Sequence, residues 1–250
     1  MNEVIQTIQR HRSIRKYEDR PLSDEQIRTI VESAQAAATS HYVQAYTIIG
    51  VRDKEKKKKL AEIAGNQAYV ETNGHFFIFC ADLHRHEVLG KKIEGVDLSS
   101  FLGSTENFMV ATIDAALAAQ NAALAAESMG LGICYIGGIR NNLEEVASLL
   151  NIPSRVIPLF GLTVGYPLHE GSVKPRLPFT EIYHEDGYND NLDEGNENLK
   201  EYNKVIQDYY INRTGGKRSD TWTSQVVQML SSKSREYMKD YVKGQGMNVK

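Results

Sequence analysis

Cysteine is scarce. The chain has two, Cys80 in FFIFCA and Cys134 in GICYIGG, which is too few for a disulfide-stapled scaffold. Both stand in apolar runs and read as buried thiols of a cytoplasmic protein. The amino-terminal stretch MNEVIQTIQRHRS lacks the apolar core of a signal peptide. The seven histidines include no HExxH spacing, and no nucleophile–base triad or metal cluster stands out, so neither a catalytic acid–base pair nor a metal centre is expected. Excess charge is lacking too. A net charge of −3 argues against a general nucleic-acid or membrane-surface role. There is no internal repeat. No long apolar run is free of polar residues: the most apolar segment, FMVATIDAALAAQNAALAAESMG, carries Asp114, Gln120, Asn121 and Glu127 and is rich in alanine. It is expected to be a buried helix of a soluble protein rather than a membrane span.

What remains is ordinary in amount and informative in order. The 250 residues, 41% hydrophobic and 24% charged, suit one large domain or a domain with an appendage. The spacing predicts a helix over 3–10 with Val4, Ile5 and Ile8 on one face, and a second from SDEQ, where Ser23 and Gln26 form a capping box. AYTIIGV is predicted to be a strand and DKEKKKKLAEIAG a helix capped by Asp53, its lysine run a solvated face. HFFIFCA suits a strand covered on both faces. The alanine-rich helix is expected over about 105–129, ending at Gly130. GICYIGGI and IPLFGLTVG are further strands around a short helix, NLEEVASLLN. From residue 181 the composition turns polar and acidic. Two helical patterns follow, about 197–212 and 222–243, separated by RTGGKRSD, and they are expected to pack on the body or on a second subunit.

Five segments carry candidate chemistry. HRSIR groups Arg12, Ser13 and Arg15; in extended backbone Ser13 and Arg15 project to one side and Arg12 to the other, so one segment can touch two parts of a long anionic ligand. TSHYVQAY places small hydroxyls and Gln44 at a helix-to-strand junction, where they can bond a planar heteroaromatic ring. GNQ puts Gln67 just after a helix end. GLGICYIGG is no dinucleotide fingerprint, because a helix precedes the glycines and a strand intervenes; Gly137 and Gly138 instead let backbone approach a flat ligand. KPRLP stiffens the chain around Lys174 and Arg176. Each segment alone also fits a plain turn or exposed loop.

Together, and in this order, the five motifs with the tail YYINRTGGKR…DTW resemble the nitroreductase family over almost the whole chain, in its NADPH-dependent flavin reductase and oxygen-insensitive nitroreductase branch. The resemblance implies an α+β nitroreductase-like fold: a central, mainly antiparallel sheet packed between helices, with a C-terminal helical extension. Residues 1–180 would be the FMN-binding core and 181–250 the extension. It implies a homodimer holding FMN tightly but non-covalently at its interface, and ping-pong hydride transfer from NADPH to FMN and then to free flavin, nitroaromatic or quinone acceptors. By the same resemblance His11, Arg12 and Ser13 lie near the phosphate and ribityl chain, and Arg15 near the N1–O2 edge of the flavin. Lys174 and Arg176 complete the phosphate site. Thr39, Ser40, Gln44 and Gln67 meet the ribityl chain and ring, and Tyr135, Ile136, Gly137 and Gly138 meet the flavin through backbone. Arg213 is implied to bind the 2′-phosphate of NADPH, with Lys217 and Arg218 beside it. His41 stands where the branch has serine. A non-enzymatic FMN-binding or sensing module remains the alternative.

Overall fold

In the computed structural model, which describes residues 1–190, 196–232, 235–248 and 250, Asn2 accepts from the Ile5 N–H and starts α1 (Glu3–Gln9). The helix forms where its pattern says, but its apolar face is not buried: Val4, Ile5 and Ile8 are exposed. α2 (Asp24–Gln35) begins at the reciprocal Ser23–Gln26 capping box. β1 (Tyr46–Val51) runs into α3 (Lys54–Ile63), capped by Asp53 at the Lys56 N–H. One-turn α4 (Ala68–Glu71), β2 (His75–Asp82), and the short helices α5 (His84–Gly90) and α6 (Ser99–Leu102) follow. Then come α7 (Thr105–Ser128), β3 (Gly132–Ile136), α8 (Leu143–Leu150) and β4 (Val156–Gly165). α9 (Glu197–Thr214), α10 (Trp222–Ser231) and α11 (Met238–Gly244) complete the chain.

The sheet has the order β1-β2-β4-β3, with every neighbouring pair antiparallel. Every residue of β2 is buried, which is what a continuous apolar run requires of a strand covered on both faces. One face is covered by α7, whose Ala111, Ala115, Ala118, Ala119, Ala122 and Ala126 are fully buried at helical spacing. Side chains this small let the helix lie close to α2 and the strands. The other face carries a separate cluster that includes Leu60 of α3, Phe76, Ile78, Ile136 and Val146.

The chain forms two units, Met1–Gly171 with Tyr237–Lys250, and Ser172–Glu236. The single helix expected over 222–243 is two helices. α10 gives way to extended backbone at Ser232, residues 233 and 234 lie outside the described residues, and α11 belongs to the first unit, where Tyr241, Val242 and Met247 are buried in the main core. The second unit has its own small core of Tyr202, Ile206 and Tyr210, with Leu177 and Trp222 against it. One lysine of the supposedly solvated run is buried. Lys57 donates from Nζ to the Asn73 carbonyl at 2.6 Å.

Candidate active site

The HRSIR segment is extended and docks on the edge of the sheet. Ser13 makes a parallel bridge with Ile133 of β3, and the Ile14 N–H donates to the Ile133 carbonyl at 2.8 Å. Ile14 lies so close to Gly132 that a Cβ there would come within 2.7 Å of its side chain, which is why the strand begins with glycine. The expected alternation is present. Arg12 turns one way, its Nε donating to the Glu170 carbonyl and its guanidinium to the Arg10 carbonyl at 3.2 Å. Ser13 and Arg15 turn the other way, Ser13 towards the Cys134 thiol and Arg15 towards Cys134 and the Tyr69 hydroxyl. Cys134 is buried, and burial raises its pKa, so it is a packing group rather than a nucleophile. His11 is tied to α7 through an Nδ1–Glu127 contact of 2.8 Å.

Gln67 follows the end of α3 at Ile63, past Gly65 in left-handed backbone (φ +88°). The Tyr69 hydroxyl donates to Gln67 Oε1 at 2.8 Å, which leaves the Nε2 donor of Gln67 for a ligand. Past Tyr135 and Ile136, β3 turns at Gly137 into a short 3₁₀ helix, Gly137–Asn141. A Cβ on Gly138 would sit 2.6 Å from the Ala64 carbonyl, and Asn141 Nδ2 donates to the Ile63 carbonyl at 3.0 Å. The 3₁₀ turn therefore rests on the end of α3, and Gly137–Gly138 lie next to the Gln67 loop. Ser13, Arg15, Gln67 and the backbone of 135–138 thus form one constellation.

Thr39, Ser40 and Gln44 are not part of it. Their loop is held by Asp114 of α7, fully buried, whose two carboxylate oxygens accept the N–H groups of Ser40 and Ala45, each at 3.0 Å. Between those anchors His41 (φ 46°), Tyr42 (φ 59°) and Gln44 (φ 53°) are left-handed, a costly run for residues with side chains. This loop feeds β1 at Tyr46, which pairs with Ala81, whereas Ser13 bridges Ile133, which pairs with Val164 and through it lies level with His75. The two groups occupy opposite edges and opposite ends of the sheet, roughly 19 Å apart across it, four strand spacings, and about 20 Å along it.

In the second unit, tyrosines organise the cations. Lys174 lies over the Tyr210 ring at 5.3 Å and Arg218 over the same ring at 4.2 Å. Arg176 contributes charge near Tyr202, which itself bonds the Pro175 carbonyl at 3.1 Å. Arg213 is in the last turn of α9, not in the loop, and donates to the Tyr209 hydroxyl at 3.1 Å. Lys217 follows the left-handed glycines Gly215 and Gly216. Burial pushes the Tyr210 phenol up, but hydrogen bonds with Lys174 and Gln225 and the charges of Lys174 and Arg218 more than reverse this, so it lies below the ordinary phenol range.

Residue-by-residue reading of the sequence missed Tyr69, Asp114 and Tyr210. Asp114 left a signal, a carboxylate in the middle of an alanine-rich helix, which demands hydrogen-bond partners when buried. Tyr69 left none beyond standing two residues after Gln67.

The profile of the nitroreductase family matches residues 8–166, and that of the family's C-terminal domain matches 174–250. An FMN reductase (NADPH) of Bacillus subtilis is 56% identical over 248 residues, covering 99% of both chains. The structure of B. megaterium NfrA1 superposes with a TM-score of 0.96 at 65% identity, covering 99% of this chain and 100% of that one. The NADPH:FMN oxidoreductase of Vibrio harveyi, solved with NAD⁺, superposes at 0.88 with 37% identity over the whole of both chains. The chain belongs to the nitroreductase family.

Proposed function

We propose that this chain is an FMN-dependent NADPH oxidoreductase that passes hydride in ping-pong fashion from NADPH to bound FMN and then to free flavin, nitroaromatic or quinone acceptors. The observation that carries the reading is the convergence of Ser13, Arg15, the free amide donor of Gln67 and the Tyr135–Gly138 backbone at one edge of the sheet. This donor set fits FMN. A cation and an amide match the polar edge of an isoalloxazine ring, the glycine backbone admits its flat face, and the family relatives include enzymes named for FMN and NADPH.

When bound, FMN supplies the hydride-accepting ring. The chain's own contribution is positioning and charge. Arg15 fixes a cation at the N1–O2 edge, where negative charge accumulates on reduction. Arg12, on the other side of the strand, serves the phosphate and ribityl end with His11. Lys174 and Arg176 supply further cations for the phosphate, and Arg213, with Lys217 and Arg218, reads the 2′-phosphate of NADPH. No side chain is needed as acid or base. Because Thr39, Ser40 and Gln44 lie at the far corner of the sheet, we assign them to the flavin of a second subunit, which makes the homodimer the functional unit.

The test is optical. Purified protein is expected to be yellow and to bleach on anaerobic addition of NADPH; bound flavin that NADPH does not bleach would leave only a binding or sensing module. Arg15→Ala removes one charge-assisted partner, at a cost of about 1.5–3 kcal/mol, and is expected to weaken FMN binding roughly 10- to 150-fold. Full occupancy of the variant after dilution would remove Arg15 from the site.

A further inference from the structure

The carboxy-terminal segment of the first unit, Tyr237–Lys250, has no part in the site above, yet its first residue reaches the turn that carries the flavin-facing glycines. Gly137 and Gly138 open the 3₁₀ turn Gly137–Asn141. Glycine gives a flat ligand room but brings no side chain to fix the backbone, so the neighbours of this turn must set its position. Asn141 is bonded to the end of α3. The Arg140 guanidinium lies over Gly137, where a Cβ would come within 3.1 Å of Nη2, and donates from Nη1 to the Leu159 carbonyl of β4. Leu159 is the extra residue of a bulge, since Phe79 pairs with Phe160 and Cys80 with Pro158, and a ladder leaves such a residue unpaired.

A further contact comes from Tyr237, 97 residues beyond Arg140. Its hydroxyl donates to the Arg140 carbonyl at 2.6 Å and accepts the Leu143 N–H at 3.0 Å. A phenol has one proton to give and lone pairs to accept with, so both bonds form together. Leu143 is the first residue of α8, where the N–H has no acceptor within the helix. One oxygen atom thus ties the end of the 3₁₀ turn to the start of α8. These bonds are not what docks the segment. The Arg155 N–H donates to the Gln245 carbonyl at 3.0 Å, Arg155 Nη1 to the Gly246 carbonyl at 2.6 Å, and Thr105 Oγ1 to Asn248 Oδ1 at 2.7 Å. Val242 and Met247 are buried in the main core. Tyr241 supplies the contrast. It packs edge-on against Tyr237 with centroids 6.3 Å apart, and its buried hydroxyl has no partner among the described residues.

We propose that Tyr237 is a positioning residue of the flavin site, its hydroxyl locking the turn that presents the Gly137–Gly138 backbone. The assignment rests on the reading of residues 135–138 as flavin-facing backbone. Through this one side chain the carboxy-terminal segment sets the shape of the cofactor site. Without the hydroxyl the segment stays docked through Arg155, Thr105 and its apolar residues, but the turn loses an anchor and shifts. A shifted turn weakens flavin binding and alters the surroundings of the ring.

The experiment compares the wild-type holoenzyme with Tyr237→Phe, which keeps the ring and removes the hydroxyl, and with two controls in α11. Tyr241→Phe removes the unpartnered hydroxyl. Val242→Ala loosens the core without touching the turn. Tyr237→Phe is expected to weaken flavin retention on dilution about 10-fold, to change the visible absorption bands of the flavin at full occupancy, and to speed amide hydrogen exchange across residues 137–143. Tyr241→Phe should match wild type in all three. Val242→Ala should lower the thermal midpoint at least as far as Tyr237→Phe does, yet leave the flavin bands unchanged. That contrast separates positioning from general loss of stability. The proposal is overturned if Tyr237→Phe keeps its flavin and its bands as wild type does, or if either control changes them to the same extent. In the first case a yellow wild type that NADPH bleaches leaves the reading of the site intact. If the wild-type protein carries no flavin, that reading itself fails, and this assignment with it.

Discussion

His75 shows how one side chain can set acid sensitivity. Its ring folds against Gly50 of β1, where a Cβ would lie 2.8 Å from Nε2, and tilts against Phe77 with centroids 4.4 Å apart. Burial, then the charges of Arg52 and Lys57, lower its pKa to about 4. An unfolded histidine titrates near ~6.5, so between those values the unfolded chain holds a proton that the folded chain does not. Stability from this residue is complete above ~6.5 and is lost as pH falls towards about 4, by about 3 kcal/mol in all. Urea midpoints measured from pH 4 to 7 should fall steeply on the acid side, and His75→Asn should flatten that slope whatever it does at neutral pH. An unchanged slope would place the acid sensitivity in other groups. Arg213 is the other residue whose role can be isolated. Exposed at the end of α9 and stacked 5.8 Å from the Tyr209 ring, it is expected on Arg213→Ala to raise KM for NADPH about 5- to 150-fold, at a cost of about 1–3 kcal/mol. KM for NADH and flavin content should hardly change. Equal losses with both donors would put the 2′-phosphate elsewhere.

Among the elements, α7 links core and site. Its alanines pack one face, and a single buried carboxylate, Asp114, spans the left-handed loop from Ser40 to Ala45. Asp114→Asn keeps the shape but points an amide donor at one of two backbone N–H groups. The loop should relax, and flavin retention should fall about 10-fold for about 1.4 kcal/mol of lost anchoring. Flavin release on dilution, followed by fluorescence beside the thermal midpoint, distinguishes loop loosening from general instability. Retention that falls only as far as the midpoint predicts would make Asp114 purely structural. Features of this kind mark the limit of what the sequence reveals. Caps at Ser23 and Asp53, the apolar run of β2 and the alanine helix depend on neighbours within a few residues, so they are legible. The alternation of Arg12 against Ser13 and Arg15 is legible for the same reason. The Asp114 clamp, the Tyr69–Gln67 bond and the burial of Lys57 join segments far apart in the chain or follow from a turn no local pattern announces. The break at Ser232 is hidden because the stripe resumes in α11, which belongs to the first unit whereas α10 belongs to the second.

For the whole molecule, the distribution of the site is a statement about assembly. Ser13, Arg15 and Gln67 stand at one corner of the sheet and Thr39, Ser40 and Gln44 at the opposite one, so one chain cannot close both groups on one flavin. The apolar surface agrees. Met109, Ile113 and Leu117 recur at four-residue spacing on the outer face of α7, 52%, 51% and 44% exposed, and α1 presents Val4, Ile5 and Ile8. A helix with a buried alanine face and an exposed stripe of larger residues is built to be covered on both sides. In the homodimer proposed above, each loop 39–45 has to reach the partner's flavin, and this stripe is the apolar face available for pairing. Ile113→Glu places a charge in the centre of the stripe while leaving the alanine face intact. The variant should run as a monomer of about half the wild-type mass in light scattering at micromolar concentration. It should also lose flavin, because three hydrogen-bonding groups at about 1 kcal/mol each correspond to roughly 150-fold in affinity. The two readouts must move together. A monomeric variant that keeps its flavin would show that one chain suffices, and Thr39, Ser40 and Gln44 would then have to be removed from the site.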